Sequence, residues 1–168
     1  MAMGRAKSFL YYYFSSKQDV VRALIEHEFE EMSQAVMDEV ATKTNAVDRV
    51  RTYLVTRVQQ LDRRIEVYSG PVLELRHDDG STIVLTATEQ RRAFDTLEER
   101  YFANLVMEGI RDGSFRPLSE AVVLSFAQVA LSAIRDIELQ LMLDRDAATD
   151  LKSRVEMACD IFFRGLLA

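Results

Sequence analysis

Fourteen consecutive residues, from Ala121 to Ile134, carry no charge, and this run constrains the fold more than any other stretch of the chain. It reads Ala-Val-Val-Leu-Ser-Phe-Ala-Gln-Val-Ala-Leu-Ser-Ala-Ile. A membrane span takes about 20 apolar residues, so the run is too short for one, and Gln128 and two serines argue against lipid as well. A helix that is apolar on every side must be covered on every side. A single domain rarely wraps one peripheral helix completely, so a second copy of the chain is the simplest cover. Ala127, Ala130 and Ala133 would let another helix approach closely.

The C-terminal segment repeats the message. A helix is expected from about Ala147 to Leu166, with Leu151, Val155, Ala158, Ile161 and Phe162 on one side and Met157, Phe163 and Leu167 on another. With the uncharged run it predicts a four-helix homodimer interface drawn from Phe126, Ala127, Ala130, Ala133, Ile134, Ile137, Leu141, Val155, Ala158, Ile161 and Phe162. Even a modest interface of ~800 Å² per partner would make such a dimer lasting.

Two prolines and six glycines in 168 residues leave little punctuation, which favours long helices and an all-α class. Ser16 reads as the cap of a helix running to about Thr44, with Asp19 three residues on in the manner of a capping box. Val20, Val21, Leu24, Ile25, Glu28, Met32, Val36 and Val40 set its stripe. After a break at Asn45-Ala46 the pattern resumes to about Tyr68, with Val47, Val50, Tyr53, Leu54, Val58, Leu61 and Ile65 inward and the arginines mostly outward. Gly70-Pro71 stops it. Val72 to Arg76 supports a short helix, and His77-Asp78-Asp79-Gly80-Ser81 reads as a solvated loop. A further helix is expected from Ile83 or Ala87 to Asp112, with Leu85, Phe94, Leu97, Tyr101, Phe102, Leu105, Val106 and Ile110 inward and Glu98, Glu99 and Arg100 outside. Gly113 ends it, and Ser119 caps the next helix.

Chemistry is scarce. The sequence has no phosphate-cradling glycine loop, no CxxC pair and no HExxH. His27 lies on a polar face, and His77, Asp78 and Asp79 lack a second ligand cluster, so neither a metal nor a cofactor is implied. Cys159 reads as a small buried residue; a lone cysteine fits a reducing cytoplasm. An enzyme is not expected. A cavity inside the bundle suits the composition better, with Tyr53, Arg57, Tyr68, Glu74, Phe94, Tyr101, Phe102 and Gln128 as candidate lining. Each of these also has a plainer reading: aromatics at helical spacing usually form core, and Arg57 and Glu74 can simply face water.

The N-terminus departs from the rest. The chain holds 21 basic and 27 acidic residues, yet residues 1–17 contain Arg5, Lys7 and Lys17 and no acid. Phe9-Leu10-Tyr11-Tyr12-Tyr13-Phe14 is aromatic at five of six positions. Hydroxyls and lysines around apolar anchors suit a surface laid against phosphates, whereas the acidic body repels nucleic acid.

The stretch Gly4-Arg5-Ala6-Lys7-Ser8-Phe9-Leu10-Tyr11-Tyr12-Tyr13-Phe14, followed by Ser16-Lys17-Gln18-Asp19, resembles the recognition helix and following helix start of the tetracycline-repressor (TetR) family of bacterial transcriptional regulators. Glu108-Gly109-Ile110 and then Gly113-Ser114-Phe115-Arg116-Pro117 is similar to a recurrent turn of the same family, about a hundred residues away. The resemblance implies a truncated helix-turn-helix remnant (1–17) followed by a helical effector-binding and dimerisation domain (18–168). It places Lys7, Ser8 and Tyr11 in the major groove and Tyr12, Tyr13 and Lys17 on phosphates. It further implies operator DNA, a small-molecule effector and a homodimer as partners, hence a ligand-responsive repressor. Family members carry roughly two further helices before this point. The chain is therefore expected to be cut, to have a start assigned too late, or to be a headless module that binds effector and dimerises without DNA. An all-α enzyme or carrier using the same cavity is the remaining reading.

Overall fold

A computed structural model describes the backbone of residues 12–69, 76–143 and 151–167, and the side chains among these except at 17, 18, 21, 25, 61–91, 138–143, 151 and 152. Its five named elements are helices: α1 (Lys17–Ala41), α2 (Ala46–Ser69), α3 (Arg76–Arg111), α4 (Glu120–Leu143) and α5 (Leu151–Leu166). No strand occurs among the described residues, in keeping with the expected all-α class. Tyr12 and Tyr13 are helical, and a short bend through Ser15 separates them from α1.

The boundaries follow local chemistry. Ser16 is extended at φ −149°, its hydroxyl oxygen accepts the Asp19 N–H at 3.1 Å, and its hydroxyl donates to the Asp19 carboxylate at 2.8 Å. This satisfies one of the orphan N–H groups that every helix start leaves. Thr42 closes α1 by donating to the Glu39 carbonyl. Asn45 opens α2 in the same way, its side-chain oxygen accepting the Asp48 N–H at 2.8 Å.

α3 differs from expectation. It is one continuous helix of 36 residues, so His77 to Ser81 lies in helix backbone and not in a loop. An interior glycine costs a helix only about 1 kcal/mol, which a long helix absorbs. The Val72–Arg76 reading lies mostly outside the described residues, as do Phe9, Leu10 and the start of the expected C-terminal helix.

The core runs from Val36 and Val40 on α1, through Val50, Tyr53, Leu54 and Val58 on α2, to Phe102, Leu105 and Val106 on α3. Val123, Ala127, Leu131 and Ile134 continue it on α4, and Val155, Cys159, Phe163 and Leu166 on α5. Cys159 is buried as expected, and burial pushes its thiol above the usual range. Phe163 points into the core, so the inward stripe of α5 is Val155-Cys159-Phe163-Leu166, a four- and three-residue stepping different from the one read in the sequence.

The Gly-x-Phe-Arg-Pro turn locks the α3–α4 corner to the C-terminus. Gly113 adopts φ +82°, open to glycine. Phe115 then folds back over Gly109, donating its N–H to the Gly109 carbonyl at 2.9 Å, and a Cβ at position 109 would lie 2.3 Å from the Phe115 ring. Arg116 N–H donates to the Leu166 carbonyl at 2.9 Å, and Phe115 pairs with Leu167 as an isolated bridge.

Candidate ligand cavity

α1, α2 and α3 line a half-open cavity of about 560 Å³, within the range of small-molecule sites. α1 supplies Glu26, Phe29, Glu30, Ser33, Gln34, Val36 and Met37; α2 supplies Tyr53 and Arg57; α3 supplies Ala93, Phe94, Leu97, Glu98 and Tyr101. Four of these are aromatic: Phe29, Tyr53, Phe94 and Tyr101. Phe29 and Phe94 stack across the α1–α3 gap at 4.6 Å between ring centres, tilted by 14°.

The floor is charged. Arg57 is 1% exposed and Glu98 7%, and Arg57 Nε donates to Glu98 Oε1 at 2.5 Å. A buried charge persists only with a partner of this kind, because desolvation of either ion alone costs several kcal/mol. The Arg57 guanidinium also lies 5.8 Å from the centre of the Phe94 ring. Tyr53 stands beside the pair; burial, followed by the Glu98 charge and a hydrogen bond to Glu98, holds its phenol well above the usual pKa of 10.0. Tyr101 at the wall is also raised, first by burial.

Four of the eight residues proposed from sequence meet here: Tyr53, Arg57, Phe94 and Tyr101. Phe102 does not line the cavity; it is fully buried in the adjoining core, tilted against Tyr53 at 5.1 Å and Phe126 at 5.8 Å. Gln128 is exposed on α4 and donates to Glu99 at 3.4 Å. Glu74 and the Tyr68 side chain lie outside the described residues. Glu98 was expected outside and is inside; it sits four residues from Phe94 and four from Phe102, on the inward line of α3, and Arg57 likewise follows Val50 and Tyr53 on α2. Periodicity carried the signal in both cases, and charge obscured it. Leu97, expected inward, is 67% exposed at the cavity rim.

At the other sites, Tyr12 and Tyr13 are exposed and meet edge to face at 5.1 Å, while Phe14 is half-buried. Lys17 is the first residue of α1. Lys7, Ser8 and Tyr11 lie outside the described residues. Of the expected interface, Ala127, Ile134 and Val155 are covered by the chain's own helices, and Phe126, Ala130, Ile137 and Phe162 are half-buried. Phe126 and Phe162 stack at 4.1 Å, tying α4 to α5. Ala133, Ala158 and Ile161 are exposed, and the Leu141 side chain is outside the described set. The chain covers one side of the uncharged run and leaves Val122, Leu124 and Val129 open. Among the described residues no cluster of His, Cys, Asp or Glu could hold a metal, and no helix is long and apolar enough to cross a membrane.

No family model matches the chain, and no curated protein matches it by sequence. Solved structures do match. A transcriptional regulator from Cytophaga hutchinsonii superposes with a TM-score of 0.74 at 18% identity, over 96% of this chain and 82% of that one. The regulator FadR from Bacillus subtilis, in complex with stearoyl-CoA, gives 0.67 at 16% identity, over 94% and 81%. The ketosteroid transcriptional regulator KstR2 of Mycobacterium tuberculosis gives 0.57 at 16% identity, over 96% and 78%. The chain has the all-α fold of these solved transcriptional regulators.

Proposed function

We propose that the protein is a ligand-responsive transcriptional regulator that binds operator DNA as a dimer and is released by a small-molecule effector. The observation that carries this reading is the position of the cavity: half of its described lining belongs to α1, the helix that starts directly after the aromatic segment. Glu26 lies ten residues beyond Ser16, about 15 Å along the axis at 1.5 Å per residue. A ligand wedged between α1 and the α2–α3 pair would therefore tilt the Tyr12–Phe14 end. Lys7, Ser8 and Tyr11 are proposed to read bases, and Tyr12, Tyr13 and Lys17 to hold phosphates. The fold shared with regulators supports the role, and one of those regulators was crystallised with an acyl-CoA.

The second copy is proposed to sit on the open face of α4 and α5. Val129 and Ile161 are each 70% exposed and Met157 is 64% exposed. Val122 and Ala133 share the α4 face of Val129, and Ala158 is exposed beside Met157 on α5. Val129→Glu with Ile161→Glu is expected to leave helicity intact and to halve the mass seen by light scattering.

Selection of DNA from a random pool tests the whole reading. Recovery of an inverted repeat whose retention falls steeply with salt is expected. Failure to retain any sequence, with the dimer intact, would overturn operator binding by this chain and leave an effector-binding and dimerisation module.

A further inference from the structure

The charge pattern of the cavity narrows the class of effector, an inference that rests on the cavity being the ligand site. Its described lining holds three carboxylates, Glu26, Glu30 and Glu98, against one guanidinium, Arg57. Glu98 sets a carboxylate against that guanidinium on the floor, accepting from its Nε at 2.5 Å. Glu26 and Glu30 are exposed, one helical turn apart on α1 with Phe29 between them in the lining, and neither makes an ion pair among the described residues.

The apolar half of the site is equally uneven. Met37 and Leu97 are exposed large side chains, at 38% and 67%, and both line the cavity. Together with the stacked Phe29 and Phe94 they form a surface that an apolar body would cover. Aromatic faces also attract cations, and the negative rim adds to that field.

We propose that the cavity takes a lipophilic cation: an apolar body against Met37, Leu97 and the Phe29–Phe94 pair, with an ammonium head near Glu26 and Glu30. A carboxylate or phosphate head would meet the same two carboxylates as repulsion, and the one cation of the described lining is paired with Glu98. A neutral head would gain the apolar contacts alone.

Four probes of equal chain length separate these cases, each titrated calorimetrically below its micelle concentration: decyltrimethylammonium, decanol, decanoate and decanoyl-CoA. The ammonium is expected to bind tightest, with decanoate at least about tenfold weaker, since two rim charges change from attraction to repulsion. Glu26→Gln with Glu30→Gln should weaken the ammonium about fivefold and leave decanol unchanged. Leu97→Gln, at an exposed position that folding does not need, should weaken both by a few-fold. Tighter binding of decanoate or decanoyl-CoA than of the ammonium would overturn the cationic class while leaving a ligand-binding cavity in place. Absence of binding by all four would overturn the cationic class and the cavity reading together.

Discussion

Two stretches of one helix show how differently this chain uses its residues. From Phe102 to Ile110, α3 is scaffold: Phe102, Ala103, Leu105 and Val106 are buried in an apolar core, and Gly109 admits the Phe115 ring. From Ala93 to Tyr101, a turn or two earlier, the same helix lines the cavity and carries Glu98 on its inward line. The scaffold half buries grease against α2 and α4, and its ion pair with α2, Glu108 with Arg49, stays partly open to water. The cavity half keeps an ion pair out of water and leaves Leu97 in it. A core tuned only for stability would be expected to resemble the first half throughout, because replacing a buried pair by hydrophobic residues is often neutral or stabilising.

The contrast sets the order of expected mutational effects. Phe102→Ala should cost roughly 3–5 kcal/mol, as a large buried ring leaves a cavity in the core; urea unfolding followed by circular dichroism would measure it. Arg57→Met should cost about 3 kcal/mol because it strands Glu98, and adding Glu98→Leu should recover most of that loss. If the double variant is no more stable than the single one, the pair is part of the scaffold and the contrast fails. Gly109→Ala should cost about 1–3 kcal/mol, since the new Cβ forces Phe115 aside.

Tyr53→Phe has a smaller and pH-dependent effect. The folded phenol ionises well above 10.0, so its contribution is intact below pH 10 and is lost as pH rises above it, where the unfolded chain releases its proton first. The variant should lose about 1 kcal/mol at neutral pH with the hydrogen bond to Glu98, and its stability should fall less steeply than the parent's above pH 10. An unchanged alkaline limb would mean that another group governs it. Leu97→Gln should move stability by no more than about 0.5 kcal/mol, although the residue lines the cavity.

The fold was legible where the determinants are local. Ser16 with Asp19, the break before Ala46, and Gly113 before Phe115 each fix a helix boundary within a few residues, and each stands where the sequence places it. His77 to Ser81 failed because turn-forming composition is only a preference, and helix continuity outweighed one glycine. The cavity was half legible. Tyr53, Phe94 and Tyr101 followed from apolar periodicity, and Arg57 was named although a solvated position was the plainer reading. Glu98 was missed because a carboxylate is normally a surface residue; only the burial of Arg57 opposite makes its inward place affordable. The lining from α1 could not be read at all, since Phe29 and Met37 meet α3 only through tertiary packing.

Hydrogen exchange, with and without saturating decyltrimethylammonium, compares the two halves of α3 most directly. Slowed exchange confined to residues 26–37 and 93–101, with 102–110 unchanged, is the predicted result. Slowing spread evenly along α3, or absent from residues 26–37, would contradict a ligand site built on the cavity half of α3 and walled by α1.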